Sequence, residues 1–577
     1  MVKTDDIVTL AACVDTHWDA VVIGTGMGGA TAGYELARQG HRVLFLEKGP
    51  FLHADYPAAP SGLHTRIVGF GEGPGDGERT ISDSLAEGLW PHRARASTNL
   101  GALNFRVPVG CVSGGSSAFY AAALERFSPI DFRPRAQFPS IVETTLPEEW
   151  PISYQEFEPW YEAAERLYRV RGTQDPLYPG NPSALREPPL LNSRDRQLHQ
   201  DFSACGLSPY RVHVGCEFIE GCDGCPSGPC TRACKRDAAW ACLIPALTHH
   251  HASILPDCEV TRLDTADSSI DEVRCLHAGK ELRIRARIVV LAAGAFSSPS
   301  ILLRSVSPRW PRGLGNDKDL VGRNLMFHGG DFIAVSPTSV QDGEGIQKTL
   351  AINDFYHVDG EKLGTFQSLG VRLELGQVMQ YLRESAEYST AWWSWIFSPT
   401  PRWWRKLSSP FVRLGAMVYF HVFKFRHTAV WVSIVEDLPY RENRVYPDPE
   451  NENDIVIEYH YSNELQGRVT NFRKRLAAAL GQRRLMVLSP DNKIDYPHVC
   501  GTCRFGNDPE SSVLDRSNKV HGTTNLYVVD ASFFPSSGGT NPSLTIAANA
   551  LRVATEIDQV LSSGPSQTNE PAGAAIP

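Results

Sequence analysis

The chain has no run of eighteen apolar residues, so nothing in it reads as membrane-spanning. It has no excess of basic charge: 56 Lys and Arg stand against 65 Asp and Glu, a formal charge of −9. That balance argues against nucleic acid as the main partner, which would need a basic surface. The start of the chain lacks a basic segment followed by an apolar one, so no signal peptide is expected and the expected location is the cytoplasm. In a reducing compartment the 13 cysteines, an odd number, are not expected to build an extensive disulfide framework. No C-x-x-C-H occurs, so any haem would belong to a separate chain. What remains is an ordinary globular composition, 42% hydrophobic and 21% charged, over 577 residues. That is length enough for several domains with large cores.

Trp18 to Gly49 carry the most specific local pattern. An apolar strand, Ala20 to Ile23, runs into Gly24-x-Gly26-x-x-Gly29; a helix with small residues on one face reaches Arg38; a second strand, Val43 to Leu46, ends at Glu47. Gly24 permits the tight turn, Gly26 lets backbone approach a pyrophosphate, and Gly29 lets helix and strand pack closely. The helix N-terminus offers N–H groups to phosphates, and Glu47 can accept hydrogen bonds from a ribose diol. The pattern predicts a dinucleotide site without deciding between NAD and FAD.

Residues 52–100, rich in Gly, Pro, Asp and Ser, read as a long loop or lid. Ser113 to Ser117 then allow close backbone approach to a flat ligand before a helix, although Ser116 or Ser117 would also serve as a plain N-cap. Ser153 with Glu156 three residues on predicts a capped helix. Arg287 to Arg304 read as a buried strand, a glycine turn and a helix with Pro299 in its first turn, a second crossover onto the same sheet. Alternation predicts further strands at Phe332 to Val335, Phe366 to Leu375, Val430 to Val435 and Ile455 to Tyr461.

Near the C-terminus His498 stands beside a Gly-Thr turn, the strand Leu526 to Val529 ends in Asp530, and Asn541-Pro542 opens an apolar helix. An imidazole, with a free pKa of about 6.5, is suited to accept a proton near neutral pH. An Asn before a Pro at a helix start also reads as a plain N-cap. Cys216, Cys222, Cys225, Cys230 and Cys234 follow the spacing C-x5-C-x2-C-x4-C-x3-C, with Cys242 after them. Thiolates gathered by short Gly/Pro loops suit zinc or an iron–sulfur cluster, but neither common spacing is matched, and buried thiols in a tight turn are the plainer reading. Cys500-x-x-Cys503 lacks a partner pair and reads as packing. Ala391 to Phe425 hold five Trp and five Arg or Lys. That composition suits peripheral membrane contact, but Pro399 and Pro401 break any amphipathic helix there, which favours a channel lid or a subunit contact.

Taken in order, G-x-G-x-x-G with Glu47, GGSS at Gly114 to Ser117, GAFSSP at Gly294 to Pro299, H-x-x-G-T at His498 to Thr502 and NP-x-L-T-I-A-A at Asn541 to Ala548 resemble the glucose–methanol–choline (GMC) flavoprotein oxidoreductases. The resemblance spans about Asp19 to Ile557. It implies FAD rather than NAD, and oxidation of an alcohol to a carbonyl. It implies an α/β (α+β overall) fold, with a Rossmann-type FAD-binding domain (15–140, 216–328 and 495–560) interleaved with an antiparallel-sheet-plus-helices substrate domain (141–215 and 329–494). The polar, Gly/Pro/Ala-rich residues 561–577 read, by composition, as a disordered tail. Carried over by motif, Gly24, Gly26, Gly29, Glu47, Ser116, Ser117, Val260, Asp530 and Ala531 contact FAD, His498 is the catalytic base, and Asn541 occupies the second catalytic position. Ala118-Phe119-Tyr120 hold no histidine for covalent attachment, so the FAD is expected to be non-covalent, and Phe505 replaces the family's usual methionine. Cys225, Cys230 and Cys234 are similar to part of the three-iron cluster segment of some bacterial sugar dehydrogenases in the family, although Lys235 stands where those tend to have proline. The expected partners are a small alcohol, either a sugar or glycoside or a bulky apolar one, and dioxygen, a quinone or a protein as electron acceptor. The alternatives are an FAD/iron–sulfur dehydrogenase subunit feeding a membrane or protein acceptor, and a non-redox lyase of the same family.

Overall fold

The computed structural model describes residues 10–51, 84–372 and 427–563, apart from 86–87, 100, 108, 182–183, 223, 225–227, 231, 340–341, 452, 482–484 and 490–497. Most of the expected lid (52–83), the Trp-rich segment, Cys225 and most of the tail lie outside the described residues.

A five-stranded parallel sheet forms one half of the molecule, in the order Leu526–Val528, Ala286–Leu291, Trp18–Ile23, Val43–Leu46, Ser253–Leu255. Its central strands are near-continuous apolar runs, as sheets covered on both faces require. The helices Met27–Arg38 and Ser543–Ser562 pack together, and Tyr154–Tyr168 packs on the latter. Ser153 closes that last helix with the expected capping box to Glu156. Trp18–Ile23 lies between strands reached in opposite directions, so a crevice opens beyond the carboxyl ends, where open α/β sheets bind ligands.

The second half is an antiparallel sheet in the order Leu485–Val487, Phe332–Val335, Ala429–Glu436, Gly364–Arg372, Leu350–Ile352, Tyr210–Arg211, with His328–Gly329 also paired to Ala429–Glu436. Period-two alternation splits its side chains. Ile333, Val335, Trp431, Val435 and Phe366 join a core with the helix Asn463–Leu480, while Phe332, Val371, Val430, Val432 and Ile434 form a separate apolar group on the other face. The α/β class and the interleaved Rossmann-type sheet are as expected.

Two expectations change. Arg93–Thr98, placed in the lid, is a strand paired antiparallel to Gly101–Arg106. Its inward residues are Ala94 and Ala96, too small to register as an apolar alternation. Ile455–Tyr459 pairs with Arg444–Pro447 and runs parallel to Arg93–Thr98, in a separate four-stranded sheet.

Candidate active site

One cavity of about 370 Å³ lies between the two halves, bounded by the strand ends Ile23, Leu46 and Ala292, by Asp530, and by Phe332, Val432 and Ile434 of the antiparallel sheet. Every described residue assigned to the cofactor or the chemistry from the sequence lines it, except Gly29.

On the parallel-sheet side the residues fit a dinucleotide. Gly24 sits at φ +93°, where a Cβ would stand 2.5 Å from Ala292 O, so only glycine turns the chain there. A Cβ on Gly29 would lie 2.0 Å from Gly24 O, so the helix approaches the turn closely. Gly26, by contrast, has nothing within 4 Å of a Cβ position, and it caps the helix Met27–Arg38 with no side-chain bond, leaving the first-turn N–H groups to the cavity. Glu47 is buried, and its carboxylate accepts from Thr25 N (3.1 Å), Thr25 Oγ1 (2.5 Å) and Gly49 N (2.9 Å). Burial pushes its pKa up, against those hydrogen bonds. Asp530 accepts from Ser532 N, Ser532 Oγ, Gly294 N and Ser298 Oγ, tying the glycine turn after Ala286–Leu291 to the end of Leu526–Val528. Ser117 is turned inward: its Oγ donates to Gly114 O at 2.6 Å and accepts from Ala238 N at 2.9 Å. Ser116 Oγ accepts from Gly110 N at 3.1 Å, and neither serine caps a helix. Val260 reaches the cavity from Cys258–Thr265, beside the Lys48–Glu259 ion pair.

The opposite wall is made of side chains. His328 Nε2 lies 2.9 Å from Gly538 O and 3.3 Å from Ser537 O, both acceptors, so Nε2 carries the hydrogen. Its Nδ1 is 3.0 Å from His498 Nδ1. In the neutral pair His498 Nδ1–H must be the donor, which puts the lone pair of His498 on Nε2. Burial first, then the charge of Lys348, hold His498 down at about 4, so the ring is neutral near pH 7. The loop that anchors His328 is itself pinned: Gly538 N donates to Glu436 Oε1, Gly539 N to Tyr356 OH, and the buried Lys362 bridges Glu436 and Asp131. Asn541 does not cap the last helix; Pro542 stands at its N-cap, and Asn541 Oδ1 accepts from Gln367 Nε2, whose own oxygen accepts from Lys348 Nζ at 2.8 Å. His328, Lys348 and Gln367 were not singled out from the sequence. The available signal was a lysine and an amide interrupting otherwise apolar alternation in Leu350–Ile352 and Gly364–Arg372 and the residues leading into them.

The cysteine loop folds back so that Cys216 pairs with Lys235 across an isolated bridge. This brings Cys216, Cys222 and Cys234 together, with their sulfurs all within 4.8 Å of one another. Cys222 and Cys234 are 3.2 Å apart, Cys230 and Cys234 3.3 Å, Cys216 and Cys222 3.9 Å. An ion bound tetrahedrally at about 2.3 Å per sulfur would separate them by about 3.8 Å. Of the three cysteines expected to bind metal, Cys234 thus sits with Cys216 and Cys222, Cys230 lies beside Cys234, and Cys225 lies outside the described residues. The buried Lys235 donates to Ala118 O (2.7 Å) and Gly228 O (2.6 Å), fastening this loop to the segment whose Phe119 and Tyr120 line the cavity. Cys242 instead packs by Thr31 and Tyr168, and Cys500 and Cys503 are buried in the core. Among the described residues no helix is long and apolar enough to cross a membrane.

A dinucleotide cradle facing a histidine and an amide defines a nucleotide-dependent oxidoreductase of Rossmann type, and residues 22–60 match the NAD(P)-binding Rossmann-like domain model. The GMC oxidoreductase models match residues 149–329 and 439–550, together about half of the chain, and the chain belongs to the GMC oxidoreductase family. It is therefore an FAD flavoprotein enzyme acting on CH–OH donors. It is 28% identical over 94% of its length, and 92% of the relative's, to 6'''-hydroxyparomomycin C oxidase of Streptomyces lividus. It is 27% identical to 2-methyl-1,2-propanediol dehydrogenase of Mycolicibacterium austroafricanum, over 97% of this chain and 98% of the other. Its fold is that of pyridoxine 4-oxidase from Mesorbium loti, with a TM-score of 0.62 at 18% identity, covering 94% and 99% of the two chains.

Proposed function

We propose that the protein oxidises an alcohol to a carbonyl, with His498 as the base and Asn541 as the donor to the alcohol oxygen. The observation that carries this reading is that His498 and Asn541 both line the cavity, with His498 Nδ1 3.0 Å from His328 Nδ1 and Asn541 Oδ1 accepting from Gln367 Nε2. His498 Nε2 takes the hydroxyl proton, and Asn541 Nδ2–H stabilises the alkoxide character left on the oxygen. Bound FAD supplies the hydride acceptor. Gly24, Gly26, Glu47, Ser116, Ser117, Val260, Asp530 and Ala531 would hold it without a covalent bond, and Gly29 would serve by letting the helix Met27–Arg38 close on the turn. The helix Ser543–Ser562 starts at the cavity with Ser543 and Ile546 lining it, and its positive end favours negative charge there. Phe332, Leu369, Val371, Val432 and Ile434 make the remaining wall apolar, which suits an alcohol with an apolar body.

Anaerobic mixing of the FAD-loaded protein with apolar primary alcohols, sugars and sterols tests this. Flavin bleaching by an apolar alcohol is the expected result; bleaching by sugars alone would correct the substrate class. No bleaching by any of them would favour a non-redox lyase. Reoxidation by air or by a dye then separates an oxidase from a dehydrogenase, a choice on which the relatives' own names divide.

A second reading is favoured by the gathered sulfurs of Cys216, Cys222 and Cys234, with Cys230 beside Cys234. Cys216, Cys222, Cys230 and Cys234 would hold an iron–sulfur cluster or a single thiophilic ion behind the segment 118–120, and a cluster there would carry electrons from the flavin to a quinone or protein. Iron, acid-labile sulfide and zinc analysis of protein purified without oxygen decides it; a metal-free protein makes these thiols structural.

A further inference from the structure

We propose that Lys348 is the positioning residue of the alcohol-binding amide, setting the direction of a hydrogen-bond chain that runs from Lys348 through Gln367 to Asn541. This deepens, and rests on, the reading of Asn541 as a donor. Lys348 is buried at the cavity, just before the strand Leu350–Ile352, and Gln367 sits next to it on the neighbouring strand, opposite Ala351 and Val432. Lys348 Nζ donates to Gln367 Oε1 at 2.8 Å, and Gln367 Nε2 donates to Asn541 Oδ1.

An ammonium has three donors and no acceptor, so it can bond only the oxygen of the Gln367 amide. That turns the Gln367 nitrogen toward Asn541. A nitrogen donor can in turn bond only the Asn541 oxygen, which leaves Nδ2–H as the polar end that Asn541 offers the cavity. A carboxamide has nearly the same shape when turned over, so without a cation at its head the chain could run either way. Run backwards, it would give the alcohol oxygen a carbonyl where an N–H is needed. The ionisable groups that act with Lys348 are Glu125, which favours its charge, and His498, which its charge holds neutral. Burial pushes Lys348 itself down to about 7, so the head of the chain responds to pH near neutrality.

Gln367→Glu separates direction from packing. It leaves Lys348 an oxygen to bond, as an ion pair, but a carboxylate has no N–H for Asn541, which must then turn its own N–H groups toward residue 367. FAD content and thermal stability should be kept, while the anaerobic rate constant for flavin reduction falls on the order of 10²-fold with less change in substrate saturation. Lys348→Met should slow reduction on the order of ten-fold, and Asn541→Ala should add little in that background, because members of one chain are not additive. Should Lys348→Met fail to hold FAD, Gln367→Glu decides alone. Reduction of Gln367→Glu at the wild-type rate overturns the proposal, and so does an Asn541→Ala loss of the same factor with and without Lys348. A wild-type flavin that no alcohol reduces overturns the oxidation reading and this proposal with it; fast wild-type reduction beside an equally fast Gln367→Glu overturns this proposal alone.

Discussion

The two sides of the cavity are built by opposite means. On the parallel-sheet side the contacts are mostly backbone: Gly24, Gly26 and Gly29 give room and N–H donors, and Glu47 and Asp530 spend their oxygens bracing neighbouring turns. On the antiparallel side His328, Lys348, Gln367, His498 and Asn541 come from separate stretches and act in two groups, His328 against His498 and Lys348 through Gln367 to Asn541. A backbone cradle depends on volume, so it fails by crowding. A side-chain chain depends on which atom donates, so it fails by inversion of one bond with no change in volume.

The largest effect should come from crowding the first side. In Gly29→Ala the new Cβ would stand 2.0 Å from Gly24 O, so the helix Met27–Arg38 must back away from the turn. The purified variant should carry little or no FAD by its visible absorbance; a fully yellow protein would break the contrast. A middle-sized effect belongs to charge on the second side. His498 holds its base form above about 4, because burial and the Lys348 ammonium both disfavour the imidazolium. Reduction should therefore persist as pH falls, until that value is reached. Lys348→Met removes one of the two causes, and the acid limb of the reduction rate should move up by about one unit, toward the ordinary histidine range. A limb that stays in place would show that Lys348 does not act on His498. The smallest effect lies away from both sides: Ser153→Ala removes the capping box of Tyr154–Tyr168 and should cost about 1 kcal/mol in thermal unfolding, with the reduction rate unchanged.

The same contrast decides what could be read from the residues alone. The glycine turn and Glu47 of the cofactor side are written within one contiguous stretch, so Trp18–Ile23, Met27–Arg38, Val43–Leu46 and Glu47 fall where the glycine pattern puts them, to within a few residues. His498 and Asn541, which both line the cavity, were singled out through motif order. Their partners were not, because Gln367 meets Asn541 across 174 positions of chain and His328 meets His498 across 170, separations that no local pattern records. Arg93–Thr98 was missed for a local reason, alanines filling its inward positions. In the cysteine loop the spacing showed that thiols were dense, but only the return of the chain at Cys216 and Lys235 shows which sulfurs meet.

Anaerobic flavin reduction by an alcohol in His498→Ala tests the central claim most directly. The variant should keep its FAD and its yellow colour, and the rate constant for reduction should fall on the order of 10²-fold or more, because the hydroxyl proton loses its acceptor. Reduction at the wild-type rate, with FAD bound and the same alcohol, would contradict the account.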